Sequence, residues 1–396
     1  MISIEEAFKA VIQHTHNIAS TITAPVAKSG NAVLAADVFS PIKMPPFRQS
    51  AMDGYALCLH DDLHYKVVGE VKAGDGYHPV LAPGEAVRIF TGAPVPDTAN
   101  AIEMQEKVTV NGTHISIEQQ PPVEHNIRPA GEQVGKNDLA LSEGTILTPA
   151  AIGYLSALGI KEVSVYKAPS IAIVTTGDEL ITPGEPLTYG KIYESNSAML
   201  QSALKGLGFK KVSIHKVDDN YEHTYQTIKG LTDQNDVVIM TGGISVGDYD
   251  FVGKALKALE VEQVFYKVKQ KPGKPLFFGK KNNTILFALP GNPAASLSCF
   301  YLYVHPALQK MTRRDHRLHK VQALSDTHFI KSGDRPQFLK AICDAGRVTI
   351  LEGQSSAMLQ TFAIANALVA VPEELKEIKV NDSVEVILLP VTNSVR

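Results

Sequence analysis

The chain has 396 residues, of which 44% are hydrophobic and 20% charged, and a formal charge of −3. That balance describes a soluble globular protein of about two to four domains. It supplies no excess of positive charge for nucleic acid or an acidic membrane surface.

Three cysteines, Cys58, Cys299 and Cys343, lie far apart with no CxxC pair. This argues against a disulfide scaffold or a structural zinc site and fits a reducing compartment. The N-terminus, MISIEEAFKAVIQ, is acidic where a signal peptide is basic, and no apolar run approaches a membrane span. A cytoplasmic protein is expected.

In chain order, Ser3 and Glu6 form a capping box, and Ile4, Ala7, Phe8, Val11 and Ile12 share one helical face. From about Ser40 to Asn137 the chain is rich in Gly and Pro and broken into short strand-like runs (65–71, 86–90, 102–110, 114–117), which predicts a small all-β module. Thr148–Pro149 opens a further helix that Gly159 closes. The flanking pieces, 1–39 and 138–167, are expected to pack together as a discontinuous linking domain, with 40–137 inserted between them.

Strands and helices then alternate across 168–318. Strands are predicted at 171–175, 212–217, 237–240, 261–268 and 285–289, with helices near 196–207, 221–231, 251–259 and 293–312. This is a doubly wound, mostly parallel α/β domain. After the basic segment TRRDHRLHK, short β runs (338–343, 348–351, 368–371, 384–389) predict a small C-terminal barrel or sandwich over 319–396.

The most informative stretch is DVVIMTGGISVGDYD, residues 236–250. Val237 to Met240 read as a strand buried on both faces. Gly242, Gly243, Ser245 and Gly247 then form a polar loop ahead of a helix, which is how α/β sheets present backbone N–H groups to ligands. Two more strand ends carry acidic loops: TTGDEL with Asp178 and Glu179, and the pair Asp218–Asp219. Of these, Glu179 and Asp218 are expected to meet Asp248 and Asp250 at one sheet edge, where a cation such as Mg²⁺ would relieve their repulsion. For each acid alone, a helix cap or a solvated turn is the ordinary explanation.

Lys267, Lys269, Lys271 and Lys274 cluster around a Pro–Gly turn and are candidates for holding phosphate, although a run of lysines is most often a solvated face. In LPGNP, Asn292 is expected to cap a helix begun by Pro293, leaving N–H groups for an anion. Arg335, Lys340, Ser355 and Ser356 offer further anion contacts. In the β module, Asp53 precedes Gly54 in an expected turn, and Thr91 follows the strand VRIF.

Taken in order, MDGYA, TGAPVP, TTGDEL, GGISVGDYD, KPGKP and LPGNP resemble the molybdopterin molybdenumtransferase family, the MoeA and gephyrin E-domain group, over essentially the whole chain. The resemblance implies an α/β domain of the molybdopterin-binding type and an elongated homodimer, with an active cleft between the α/β domain of one subunit and the β parts of the other. It implies insertion of molybdenum from molybdate into adenylylated molybdopterin with release of AMP.

By motif it assigns catalytic roles to Asp53, Thr91, Glu179, Asp218 and Asp250, with Mg²⁺ on Glu179, Asp218 and Asp250. Gly242, Gly243, Ser245, Lys267, Lys271, Lys274, Pro290, Asn292, Pro293, Arg335 and Ser356 fall to substrate binding. A molybdopterin adenylyltransferase upstream, and molybdoenzyme or chaperone acceptors downstream, are the implied partners. One departure is Gln133, where the family usually has an Asp; the amide keeps hydrogen bonding but loses the charge.

Two competing readings share parts of this pattern. Molybdopterin adenylylation uses the same α/β domain but lacks the MDGYA and TGAPVP module. A receptor scaffold of the gephyrin type would be expected to bind a peptide independently of the acidic loops.

Overall fold

The computed structural model describes residues 1–244 and 251–391. They divide into two units, Met1–Thr21 with Tyr166–Arg396, and Ile22–Val165.

The capping box forms as expected. Ser3 Oγ accepts from the Glu6 N–H and Glu6 returns the bond to the Ser3 N–H, opening helix α1 (Ile4–His14). Ala7 and Val11 on its inner face are fully buried in the core of the α/β domain. Residues 22–39 and 138–165 fall in the other unit, where Val38–Phe39 pairs with Leu139–Leu141.

That second unit holds a six-stranded sheet. Its strands are β1 (Gly54–Leu57), β2 (His64–Val71), β3 (Glu85–Ile89), β4 (Ala101–Met104), β5 (Val108–Asn111) and β6 (His114–Ile117), ordered β4-β1-β3-β2-β6-β5. The run 102–110, expected as one strand, is broken by a 3₁₀ turn at Gln105–Lys107. Gly54 does not sit in a turn: it opens β1, and a Cβ there would lie 1.9 Å from Glu103 O on β4. The glycine is required for strand pairing, a demand that sequence spacing does not reveal. Helix α2 (Pro149–Ala157) is capped by Thr148 as expected.

The α/β domain contains β7 (Ile171–Thr176), α3 (Asn196–Gly206), β8 (Val212–Val217), α4 (Tyr221–Gln234), β9 (Val237–Thr241), α5 (Phe251–Ala258), β10 (Glu262–Tyr266), β11 (Phe277–Lys281), β12 (Thr284–Leu289), α6 (Pro293–Cys299) and α7 (His305–Met311). The sheet runs β8-β7-β9-β12-β11-β10; the first four strands are parallel, β11 runs antiparallel to β12, and β10, antiparallel to β11, returns to the common direction. β11 has no counterpart among the predicted strands.

Period-two alternation explains the two helical layers. Ile171, Ile173, Val237, Ile239, Ile285 and Phe287 face α3 and α6–α7. Ala172, Val174, Val238, Met240, Leu286 and Ala288 face α4 and α5. Asp236 anchors β9, its carboxylate accepting from Ser170 N and Oγ at 2.7 Å. The helix predicted at 293–312 is continuous but carries a π turn at Phe300–Val304 between α6 and α7.

The C-terminal strands β13 (Lys320–Ser325), β14 (Gln337–Asp344), β15 (Arg347–Ile350), β16 (Ala367–Val371) and β17 (Ser383–Leu388) close into a barrel in the order β13-β15-β14-β16-β17. Of the two expected forms, the barrel is the one observed. No helix of the described residues is long and apolar enough to cross a membrane.

Candidate active site

The carboxyl ends of β7, β9 and β12 open onto a cavity of about 470 Å³, beside the point where strand order reverses between β7 and β9. Its wall includes Thr176, Glu179, Tyr193, Glu194, Asn196, Thr241, Gly242, Gly243 and Ile244. Gly242 and Gly243 have φ of +87° and +59°, and a Cβ on them would come within 2.5 and 2.6 Å of Thr176 O and Oγ1. Both backbone conformation and space therefore demand glycine.

The acids of this chamber differ in commitment. Glu194 accepts from Ser197 N and Oγ and so caps α3. Among the described residues the Glu179 carboxylate has neither an ion pair nor a hydrogen bond, which leaves it available to a ligand or cation.

Asn196 donates both amide protons, to Thr241 Oγ1 (2.7 Å) and Gly291 O (2.8 Å). Its Oδ1, like Thr176 Oγ1, is buried with no hydrogen-bond partner among the described residues. Such atoms mark where water or a ligand completes a site. The sequence analysis does not single out Asn196 or Thr176: each needs Thr241, Gly291 or the glycine pair, brought from other strand ends, to show its place.

A second cavity, of about 480 Å³, adjoins the first and shares Pro275, Pro290 and Asn292 with it. It is lined by Lys271, Lys274 and Arg335 together with Gln354, Ser355 and Ser356, and among the described residues no carboxylate lines it. Among the described residues neither Lys271 nor Lys274 forms an ion pair; Lys271 Nζ has only a long contact of 3.5 Å to Ser332 Oγ. Lys269, by contrast, is paired with Glu373 at 2.7 Å. Lys267 stands over the Tyr266 ring, 4.7 Å from its centroid, and lines neither chamber.

Two expectations for this second chamber are corrected. Asn292 does not cap α6; its amide turns to Ser356 Oγ at 2.9 Å. The N–H groups of Ala294 and Ala295 donate to Ser356 O at 3.1 and 3.3 Å, and that of Ser296 to Asn292 O at 2.9 Å. The helix terminus is closed by its neighbouring loop, so anion recognition rests with side-chain cations. Lys340, expected as an anion contact, is 4% exposed and gives its ammonium to the carbonyls of Gly353, Ser355 and Met358 at 2.7–3.2 Å. It holds the loop that carries Ser355 and Ser356.

The other acids are placed as follows. Asp178 and Asp219 accept from each other's backbone N–H at 3.0 and 3.3 Å, a clasp between two loops. Asp218 is exposed at the end of β8 and lines neither chamber. Ser245, Asp248 and Asp250 lie outside the described residues. Among the described residues no three His, Cys, Asp or Glu side chains gather closely enough to hold a metal.

In the unit Ile22–Val165, Asp53 Oδ1 accepts from both Thr91 N and Thr91 Oγ1 at 2.7 Å. These bonds, the backbone one first, hold its carboxyl below the usual carboxylate range. Gln133 is exposed and tied through its N–H to Met44 O, while Asp138 closes its own turn on the Gly135 N–H.

An α/β sheet edge carrying an acid-and-amide chamber beside one whose charged lining, among the described residues, is cationic, with residues of the C-terminal region contributing to the second, suits an anionic ligand with an uncharged portion. Models of three regions match in order: the MoeA N-terminal region (domain I and II) at residues 2–159, a probable molybdopterin binding domain at 172–310, and the MoeA C-terminal region (domain IV) at 322–389. The chain is 32% identical to the molybdopterin molybdenumtransferase of Haemophilus influenzae over 98% of both chains. It is 33% identical to molybdopterin molybdenumtransferase 2 of Mycobacterium tuberculosis, over 98% of this chain and 99% of that one. The crystal structure of the molybdopterin biosynthesis MoeA protein of Pyrococcus horikoshii superposes with a TM-score of 0.82 at 29% identity, covering 98% of this chain and all of that one. The chain belongs to the MoeA family of molybdopterin molybdenumtransferases.

Proposed function

We propose that this protein, as a member of a transferase family of molybdenum cofactor biosynthesis, inserts molybdenum from molybdate into adenylylated molybdopterin and releases AMP. The divided pocket is the observation that carries the reading. Such a substrate joins hydrogen-bonding heterocycles to a phosphoanhydride, and molybdate is itself an oxyanion. The acid-and-amide chamber suits an uncharged ring with N–H groups; the cationic chamber suits phosphate or molybdate oxygens.

Lys271, Lys274 and Arg335 would bind those oxygens by charge-assisted hydrogen bonds and stabilise negative charge on the departing phosphate. Ser356 and Asn292, at the ridge beside Pro290 and Pro293, supply neutral contacts to the linking atoms. Glu179 fits a divalent ion, being a hard oxygen donor with no protein partner among the described residues. A divalent ion held there would polarise the phosphoanhydride. In a homodimer, Asp53, fixed by Thr91, would orient substrate in the site of the partner protomer. The protein would act in the cytoplasm, between an adenylyltransferase and an acceptor of the finished cofactor.

The test is AMP release from adenylylated molybdopterin by the purified protein without ATP. Release that requires Mg²⁺ and rises with molybdate supports the reading. Turnover that consumes ATP would instead make the protein an adenylyltransferase.

A further inference from the structure

Among the described residues no carboxylate of the second chamber aims its cations, and their positions follow the backbone that carries them. That backbone rests on a buried polar pair. Gln270 is fully buried, and a buried amide is destabilising unless its groups are hydrogen-bonded.

Its Nε2 donates to Pro272 O at 3.0 Å and, at longer range, to Gly273 O at 3.4 Å. Those two residues form the tip between Lys271 and Lys274. Its Oε1 accepts from Tyr303 OH at 2.5 Å. Because the phenol donates and both carbonyls accept, the amide has one satisfactory orientation. The main-chain oxygen of Gln270 also accepts from Arg335 Nη1 at 3.0 Å. All three cations are thus referenced to one residue.

Nothing intervenes between the loop and this support. A Cβ on Gly273 would lie 2.4 Å from Cys299 Sγ and 2.9 Å from Gln270 Nε2, and Gly273 has a φ of +87°. Tyr303 belongs to the π turn of the long helix, a distortion that recurs at functional sites. Cys299 is no nucleophile here, since burial pushes its thiol up to about 12.

We propose that Gln270 and Tyr303 are positioning residues for anion binding: a buried amide–phenol pair that sets, from beneath, where Lys271, Lys274 and Arg335 stand. Gln270→Met keeps the volume but leaves the Tyr303 hydroxyl and the Pro272 carbonyl without their partner, so it costs stability as well, and binding has to be read well below the thermal midpoint. There, a role confined to stability and a role in positioning make different predictions. The proposal rests on the reading of this chamber as an anion site, but not on the reaction performed there.

The experiment measures inorganic pyrophosphate binding to the full chain by calorimetry, well below the thermal midpoint, with Gln270→Met and Tyr303→Phe beside the unmodified protein. Acylation of Lys271 and Lys274, with and without pyrophosphate, is mapped in parallel. Gln270→Met should weaken binding about tenfold and Tyr303→Phe about threefold, each near the loss of a hydrogen bond's worth of alignment. Protection of the two lysines should fall in the same order.

Variants that bind pyrophosphate as tightly as the unmodified protein, with only a lower melting temperature, would overturn the proposal. Should Gln270→Met not fold, Tyr303→Phe, which deletes one oxygen, decides alone. An unmodified protein that fails to bind pyrophosphate would remove the anion site and this proposal together. Failure of the positioning role alone appears only in the variants.

Discussion

The two chambers share a ridge but are built in different ways. The acid-and-amide chamber is made by the ends of parallel strands, and its essential parts are two glycines pressed on Thr176 and the Asn196 side-chain amide, locked between Thr241 and Gly291. The cationic chamber is made by loops, and each loop is tied down by a buried polar side chain. Gln270 holds the lysine loop and Lys340 holds the serine loop. Strand ends are positioned by the sheet itself; loops require an internal support. The first chamber should therefore be sensitive to what fills it, and the second to what lies beneath it.

The largest expected effect tests the division of charge. Lys271→Ala and Arg335→Ala should each lower pyrophosphate affinity by about tenfold to a hundredfold, the range of a lost charge-assisted hydrogen bond. Arg335→Ala should be the more severe, because Gln270 O loses its donor as well. Glu179→Gln, in the other chamber, should leave pyrophosphate affinity within about twofold while lowering AMP release. Equal losses from all three variants would mean that the chambers act as one site.

Next are the supports. Gly273→Ala must place a methyl against Cys299 and adopt a positive φ, and it should destabilise the protein by about 1–3 kcal/mol in denaturant unfolding. Lys340→Met leaves three carbonyls without their donor, with an expected loss of about 1–3 kcal/mol and faster proteolysis within 353–359. A Lys340→Met protein of unchanged stability would show that the serine loop holds itself.

Much of this architecture was legible in the sequence. The Ser3–Glu6 capping box, Thr148–Pro149 and the buried run Val237–Met240 each state their element through local chemistry alone. Other features were not. The strand Lys320–Ser325 merges into a basic segment, its buried residues Ala323 and Ser325 are small, and its leucine, Leu324, is exposed. Phe277–Lys281 runs antiparallel between β12 and the edge strand β10, outside the expected alternation of strand and helix.

Within the site, the motifs carrying Lys271, Lys274, Pro290 and Ser356 marked the cationic chamber. What escaped was partnership. Nothing in spacing tells that Lys340 spends its protons on carbonyls, that Asn292 serves Ser356 rather than its helix, or that Gln270 lies under the loop. The first two depend on segments 13 and 64 residues apart meeting in the folded chain, and the third on Tyr303, 33 residues on, turning the amide under its own loop.

The smallest effect concerns Asp53, whose support is a neighbouring loop rather than a core. Its carboxyl is held below the ordinary range first by the Thr91 N–H and second by the Thr91 hydroxyl. For a carboxylate depressed in this way, the stabilisation is fully present above the ordinary carboxylate value and is lost as pH falls through the depressed one. Thr91→Val removes the hydroxyl and keeps the N–H, so the carboxyl should titrate at a higher pH than in the unmodified protein, yet still below an unperturbed aspartate. A carbon-13 titration of the Asp53 carboxyl measures this directly. An unchanged titration would show that the backbone bond alone fixes Asp53, leaving the Thr91 hydroxyl available to a substrate. A return to the ordinary value would show that the hydroxyl positions the backbone donor as well as adding its own bond.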